Sequence, residues 1–462
     1  MQKFLADYAT AAHLALMAVA PLVLYPFCSP DTVASVLLWL SLISAAWVVM
    51  APACRPGEMP HKARARISSE MLRDPLMWFL LVAVAFAGLR ALNGGIALVY
   101  DAESMTWSIN PPDVEILPGS VSGAGFLPFA ACVSLFVILQ GARHSLNAEG
   151  AIAFFTASSA IAGISAILAA MALSYGNASV EEMVSCSYVS PSFAGTAYGI
   201  YALMGLVALF GCIGEGWRRA EPFAVLGLVC SSVGLALFSP PATFTVFVSA
   251  FAVITLISFP LMKGRFAGSA SLRCILAIIM AVGAVVLLSM FDGNFSAFGE
   301  KRDALLDLRF FPEGFGSARD ALSSIALKSW KENPWLGSGL GSFPIDIRFI
   351  ASQSDWTVIS PGQTASVNGW WQILAERGVV GALVLIVAAG FLAWTYFNRL
   401  VKSFGRGIWH PACVLGPFVA VALIALAFVD SSLLRSDVLL PTAAVLALSA
   451  VSFRGSGSKS DI

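Results

Sequence analysis

Arg319, in SARDALSSIALKSW, and Glu376, in SVNGWWQILAERG, are the residues whose type and setting best suit chemistry. Arginine is unexpected at a predicted helix start, where the helix dipole is already positive; an anionic ligand would relieve that conflict. Its planar guanidinium stays charged and grips phosphate through paired donors. A surface salt bridge is the competing reading. Glu376 could take a proton from an acceptor hydroxyl if burial raises its pKa, or simply pair with its neighbour Arg377. Between them lies KENPWLGSGLGSFP, with Gly337, Gly339 and Gly341 at alternate positions. Such glycines let backbone N–H groups approach an anion or a sugar, or merely let a loop fold back onto the membrane. They do not form a nucleotide site, which requires a strand, then the glycine loop, then a helix; here a predicted helix precedes the loop.

Arg90, near the outer end of an apolar run, is either a functional intramembrane charge or a side chain snorkelling to the interface. Arg309 and Arg348 could line an anion site or sit solvated in a loop. Arg435 lies between Asp430 and Asp437, where a local ion pair is expected. Trp370 and Trp371 could stack on a sugar, hold a lipid chain, or belong to an interfacial aromatic belt.

The elements that must position these residues are membrane helices. The chain is 58% hydrophobic and only 12% charged, against about a quarter charged in soluble domains. Its net charge is zero, which gives no field for nucleic acid. The eight cysteines show no metal or redox spacing, and Cys132, Cys212, Cys230, Cys274 and Cys413 lie in apolar runs, where a small hydrophobe is expected. The first apolar run is followed at once by another, as in a spanning bundle rather than a cleaved signal peptide.

Apolar runs at 9–28, 33–52, 75–93, 123–141, 151–173, 193–214, 223–239, 243–262, 274–291, 371–398, 411–430 and 438–453 predict about twelve spans. Alternate loops hold the Lys and Arg residues, among them Lys62, Arg64, Arg66, Arg143, Arg218, Arg219, Lys263, Arg399 and Lys402. By the positive-inside rule these loops and both termini are cytoplasmic. Residues 292–370 then form one long extracytoplasmic loop between the ninth and tenth spans of a single membrane domain, 1–462. Within it, Leu322, Ile325, Ala326 and Trp330 recur at helical spacing. Ser317 with Asp320 resembles an N-terminal cap, and Asn333-Pro334 is a stop.

Three segments together resemble the O-antigen ligase and O-antigen polymerase family of bacterial membrane proteins. NPWLGSGLGSF, 333–343, is similar to that family's "NPLLGVGLGNF"-type turn. SVNGWWQILAERGVVGAL, 366–383, is similar to its "HNDYLQLLAELGLIGLL" segment, and PSFAGTAYG, 191–199, to its "PNFFAGYL" stretch. The match covers roughly 186–395 and is strongest over 315–385. The resemblance implies an all-α fold like the metal-independent type-C glycosyltransferases. It implies transfer of a glycan from an undecaprenyl-pyrophosphate carrier to an acceptor sugar, at the outer face of the inner membrane, with no cofactor. The acceptor is a growing polymer or lipid A–core, and chain-length regulator and flippase proteins are further implied partners. Arg319, Asn368 and Glu376 fall on family positions and become the implied catalytic residues. For such a reaction Arg90, Arg309, Arg348, the three glycines and the two tryptophans, singled out above by type and setting, are the candidate substrate contacts.

Two departures bear on the reaction. Val367 stands where the family has a histidine, and Pro240, in FSPPAT, where it has an arginine. Of the four histidines, His61, His144 and His410 fall on the cytoplasmic side and His13 near the inner end of the first span. A His-dependent ligase mechanism is thereby disfavoured, and polymerase is the preferred expectation over ligase. A secondary transporter or flippase is a rival, since it too would have about twelve spans, but no internal repeat is visible. A non-catalytic scaffold descended from the enzymes is another. Cys28 and Cys186 are both placed near the outer face, where a disulfide is open.

Overall fold

The computed structural model describes residues 2–50, 59–93, 97–101, 106–110, 126–174, 193–261, 268–290, 315–359, 366, 368–404, 412–428, 431 and 435–451. Helices dominate it: α1 (Gln2–Leu24), α2 (Pro30–Met50), α3 (Pro60–Leu72), α4 (Pro75–Leu92), α5 (Phe126–Ser145), α6 (Ala148–Ser174), α7 (Phe193–Gly214), α8 (Glu221–Phe238), α9 (Pro241–Leu261), α10 (Gly268–Met290), α11 (Phe315–Glu332), α12 (Phe343–Ile350), α13 (Gly369–Phe404), α14 (Ala412–Leu426) and α15 (Ser436–Val451). Eight of these are long and apolar enough to cross a membrane, and four shorter apolar helices accompany them. The chain is a multi-pass membrane protein. A helix lies at each of the predicted apolar runs.

The bundle is organised around α7, whose apolar window is almost wholly buried. It packs on α6, α8, α9, α14 and α15. Side chains cannot separate these helices on hydrophobicity alone, because lipid is as apolar as they are; close backbone approach is what holds them. In FAGTAYG, a Cβ on Gly195 would lie 2.4 Å from the Ser239 Cα, and one on Gly199 would lie 2.5 Å from the Phe247 ring. The glycines of this stretch therefore serve helix packing, Gly195 against the turn that precedes Pro240 and Gly199 against α9. Pro191 and Ser192 lie outside the described residues.

Two elements depart from the sequence reading. The basic stretch read as a loop contains the helix α3, which buries Ala63 and Ile67 and leaves His61, Lys62 and Arg64 exposed. The segment at 97–110, read as a loop, contains an antiparallel hairpin, with Val99 opposite Ser108 and Tyr100 opposite Trp107. Its ALVYD and TWSIN strands are rich in the β-branched and aromatic residues that fit a pleated surface.

Asp74 caps α4, accepting from the Leu76 N–H at 3.1 Å. It also pairs with Arg143 at 2.5 Å and His144 at 3.2 Å. Burial works against ionisation of its carboxyl, but the His144 hydrogen bond and the Arg143 charge outweigh it and hold the pKa below the usual range. Arg143, counted from sequence as a topological charge, thus also pins α5 to the start of α4.

Above the bundle, α11 and α12 form a small layer with its own core: Leu322, Ile325, Ala326, Phe343, Ile347, Ile359 and Ala375. Three of these seven, Leu322, Ile325 and Ala326, are periodic residues of the predicted helix. That helix begins at Phe315, so Ser317 is inside its first turn rather than capping it, and Asp320 is beyond that turn. Gly316 disfavours this earlier start by about 1 kcal/mol, and the helix includes it all the same. The stop falls where expected, at Asn333-Pro334.

Candidate functional site

The glycine turn is a splice between two helix segments. Gly337, Gly339 and Gly341 have φ of 73°, 131° and 73°, conformations that side-chain-bearing residues rarely adopt. Opposite them, α13 breaks at Gly378, with φ 64° and ψ −170°. A break in a helix exposes carbonyls on one side and N–H groups on the other. The turn meets both sets. Ser338 N–H donates to the Ala375 carbonyl at 2.8 Å, and Gly339 N–H to that of Glu376 at 3.2 Å. In return, Val379 N–H donates to the Pro334 carbonyl at 2.9 Å and Val380 N–H to that of Trp335 at 3.0 Å. The N–H groups of Ser338 and Gly339 are thereby committed to the protein's own backbone, and not presented to an anion.

Arg90 closes the splice from beneath. It is fully buried, and donates to the Leu336 carbonyl at 3.3 Å and the Glu376 carbonyl at 3.4 Å. Its guanidinium also lies 5.6 Å from the Phe86 ring centre. One fork therefore joins α4, the glycine turn and the C-terminal end of the first segment of α13, where the helix dipole favours a cation. Its head group is held by protein carbonyls instead of reaching toward the interface, so it does not snorkel.

Glu376 is buried. Its Oε1 accepts from Gln372 Nε2 at 2.9 Å, and the Gly341 N–H also reaches the carboxylate. No Glu376–Arg377 ion pair is present among the described residues, which removes that reading. Arg377 instead keeps a buried Nε without a hydrogen-bond partner. Gln372 is shared: its Oε1 accepts from Ser366 N–H at 3.0 Å. Asn368 caps the helix, its Oδ1 accepting from the N–H groups of Trp370 at 3.1 Å and Trp371 at 3.4 Å. That is the work expected of an N-cap amide, and it orients the segment that carries Glu376. Trp371 packs against the core of the outer layer. Trp370 lies tilted beside Phe428, with ring centres 6.3 Å apart, and its buried Nε1 has no partner.

Asp346 is the residue that sequence reasoning missed. Its Oδ2 accepts from Ser329 at 2.7 Å, Ser338 at 2.9 Å and Ser342 at 3.4 Å. Ser338 also reaches the Ala375 carbonyl at 3.1 Å, tying this carboxyl to the splice. Only its place in GSGLGSFPID, five residues beyond the last of the glycines, hinted at it. Burial holds the Asp346 carboxyl above the usual range, against the three hydroxyls that pull it down. The folded chain therefore holds this proton more tightly than the unfolded chain. Its contribution favours folding below the ordinary carboxylate range and fades as pH rises through the raised pKa. Asp346→Asn should flatten that part of the stability–pH profile, measured by thermal unfolding in detergent between acidic and neutral pH. An unchanged profile would rule Asp346 out as its source.

The other candidates are not brought to this cluster by any described contact. Arg319 is half-buried on α11 and makes no ion pair among the described residues. Arg348 is exposed on α12. Arg309, Val367, Cys186 and His410 lie outside the described residues, and Cys28 is a free thiol. Arg435 pairs with Asp437 at 3.1 Å, the local pair expected for it. What the arrangement offers chemically is a buried carboxylate beside two guanidiniums, Arg90 and Arg377, with a second carboxylate behind the turn. Such a set can accept a proton and stabilise a developing anion.

No protein-family model matches the chain, and no curated protein matches it.

Proposed function

We propose that the protein transfers a glycan from an undecaprenyl-pyrophosphate carrier to an acceptor sugar, as a surface-polysaccharide polymerase at the outer face of a bacterial inner membrane. On this reading the chain crosses the membrane about twelve times, with both termini inside and 292–370 outside. The observation that carries the reading is the splice. Two of the three segments behind the resemblance, the NPWLGSGLGSF turn and the SVNGWWQILAERG segment, interlock through their backbones and enclose Glu376.

Glu376 is the group that draws the proton from the acceptor hydroxyl. Arg377, with its unpartnered Nε, and Arg319, the half-buried cation of α11, are the groups that take charge developing on the departing pyrophosphate. Asn368, Gln372 and Arg90 position Glu376 rather than touch substrate. Because Asn368 and Gln372 order the helix without a histidine at 367, the reading needs no imidazole base.

The test is a gene deletion complemented with wild type, Glu376→Gln or Arg319→Ala, followed by profiling of surface polysaccharide and of the lipid-linked pool. Single repeats left on the lipid, with activity reduced by about a hundredfold or more for Glu376→Gln, are the expected result. Long polymer stranded on the lipid would make the protein a ligase. Unchanged pools on deletion would sink the glycan reading.

A further inference from the structure

A cavity lies at the membrane face that carries the basic loops, remote from the splice, between α2, α3 and α5. About 100 Å³ of it is open to the centre of a water molecule. Exposed Val49, Arg64 and Ser68 form its rim, while Val137, Gln140 and Gly141 form its floor. The floor holds an anomaly. Gln140 is 2% exposed, and both its amide nitrogen and its amide oxygen lack hydrogen-bond partners. A buried amide left unsatisfied costs free energy that an apolar residue of the same size would not. The observation points to something that enters the cavity and both accepts from and donates to that amide.

The surroundings narrow its chemistry. The walls are largely aliphatic, and α2 continues outward with exposed Trp39, Leu42 and Ile43. The rim is cationic. Arg64 uses a single donor on the Met50 carbonyl, at 2.9 Å, which leaves most of its five N–H groups for another acceptor. Helix α3 also carries His61, Lys62 and Arg66, with Glu70 its one carboxylate. It buries Ala63 and Ile67 against the protein, while His61, Lys62 and Arg64 stay exposed beside the cavity. Basic pockets between helices on such a face suit anionic head groups.

We propose that this cavity binds one anionic phospholipid. Its phosphate sits on Arg64, its ester carbonyl accepts from the Gln140 amide nitrogen, a head-group hydroxyl donates to the Gln140 oxygen, and its chains lie along α2. The site is independent of the glycan reading, and either can fail without the other.

Native mass spectrometry of the full chain, stripped of lipid in detergent, tests it with phosphatidylglycerol and phosphatidylcholine of identical chains. The wild type should retain one phosphatidylglycerol about tenfold more tightly than phosphatidylcholine. Arg64→Ala and Gln140→Leu should each remove that preference, and Lys62→Ala, outside the cavity, should not. Gln140→Leu should also melt higher than wild type in lipid-free detergent, because it deletes the two orphaned atoms. Should that variant fail to fold, Arg64→Ala, on an exposed side chain, decides by itself. Equal retention of the two lipids, or full retention by Arg64→Ala, would overturn the proposal and leave ordered water as the occupant of the cavity. Binding of glycerol phosphate without chains as tightly as of the lipid would overturn the lipid assignment.

Discussion

Gly378→Ala should detach the outer layer from the bundle and abolish whatever activity the protein has. The backbone at this residue, with φ 64° and ψ −170°, is in a region essentially reserved for glycine, costing about 1–3 kcal/mol for any other residue. The added methyl would also sit 2.3 Å from the Trp335 carbonyl oxygen and 2.6 Å from the Gly337 nitrogen. Both are backbone atoms, so no side chain can rotate away. Relief requires the turn to move, and the turn is held by the hydrogen bonds of Ser338, Gly339, Val379 and Val380. Strain and lost hydrogen bonds together should exceed about 4 kcal/mol. Gly337→Ala should behave alike, since its methyl would meet the Glu376 carbonyl carbon at 2.4 Å. Gly283→Ala and Gly390→Ala are the controls: each sits in a helix with nothing within 4 Å of the added carbon. Thermal unfolding in detergent, with limited proteolysis of the outer layer, makes the comparison. A Gly378→Ala protein as stable as Gly390→Ala would mean that the helix break and the turn do not interlock.

Arg90→Met is the second large effect, about 3 kcal/mol of destabilisation. Methionine keeps much of the volume and the apolar stem but removes the guanidinium donors from two carbonyls, the half-buried one of Leu336 and the buried one of Glu376. Each carbonyl then lacks its charge-assisted partner, and that of Glu376 is left with the Gly339 N–H. Arg90→Lys should recover little, because an ammonium on a flexible stem cannot replace the fork that spans both acceptors. Combining Arg90→Met with Gly337→Ala should cost less than the sum of the two, since both act on one splice. Additive losses would show that Arg90 acts elsewhere. The double-mutant comparison also separates positioning from catalysis: a residue that only places Glu376 lowers activity in step with the melting temperature.

The membrane class and nearly every helix were legible in the residues themselves. Apolar runs as long as those at 151–173 and 193–214 have few alternatives to a helix in lipid, where each backbone group must be satisfied within its own segment. The helix at 315–332 was equally readable, because Leu322, Ile325 and Ala326 recur with its period and Asn333-Pro334 ends it. Helix α3 was hidden because its charges read as loop. Its buried stripe, Ala63 and Ile67, is too short to announce a helix in an arginine-rich stretch. The hairpin at 97–110 was hidden for another reason: short alternating strands carry little signal beside the long apolar runs around them.

The sequence by itself determined that the glycines at 337, 339 and 341 must bend the chain and that Arg90 and Glu376 were costly where they stood. Only the tertiary structure decided that these belong to one device. Backbone hydrogen bonds between Ser338 and Ala375, or Pro334 and Val379, leave no mark in residue type, because any residue but proline can make them. Arg90 meets Leu336 across 246 positions of chain, and nothing local encodes such a distance. The same holds for Asp346. Its serines at 329, 338 and 342 look like ordinary polar spacing until α11, the turn and α12 fold them around one carboxyl. Chemistry was written in side-chain types, while assembly was written in which carbonyls remain unsatisfied when a helix breaks.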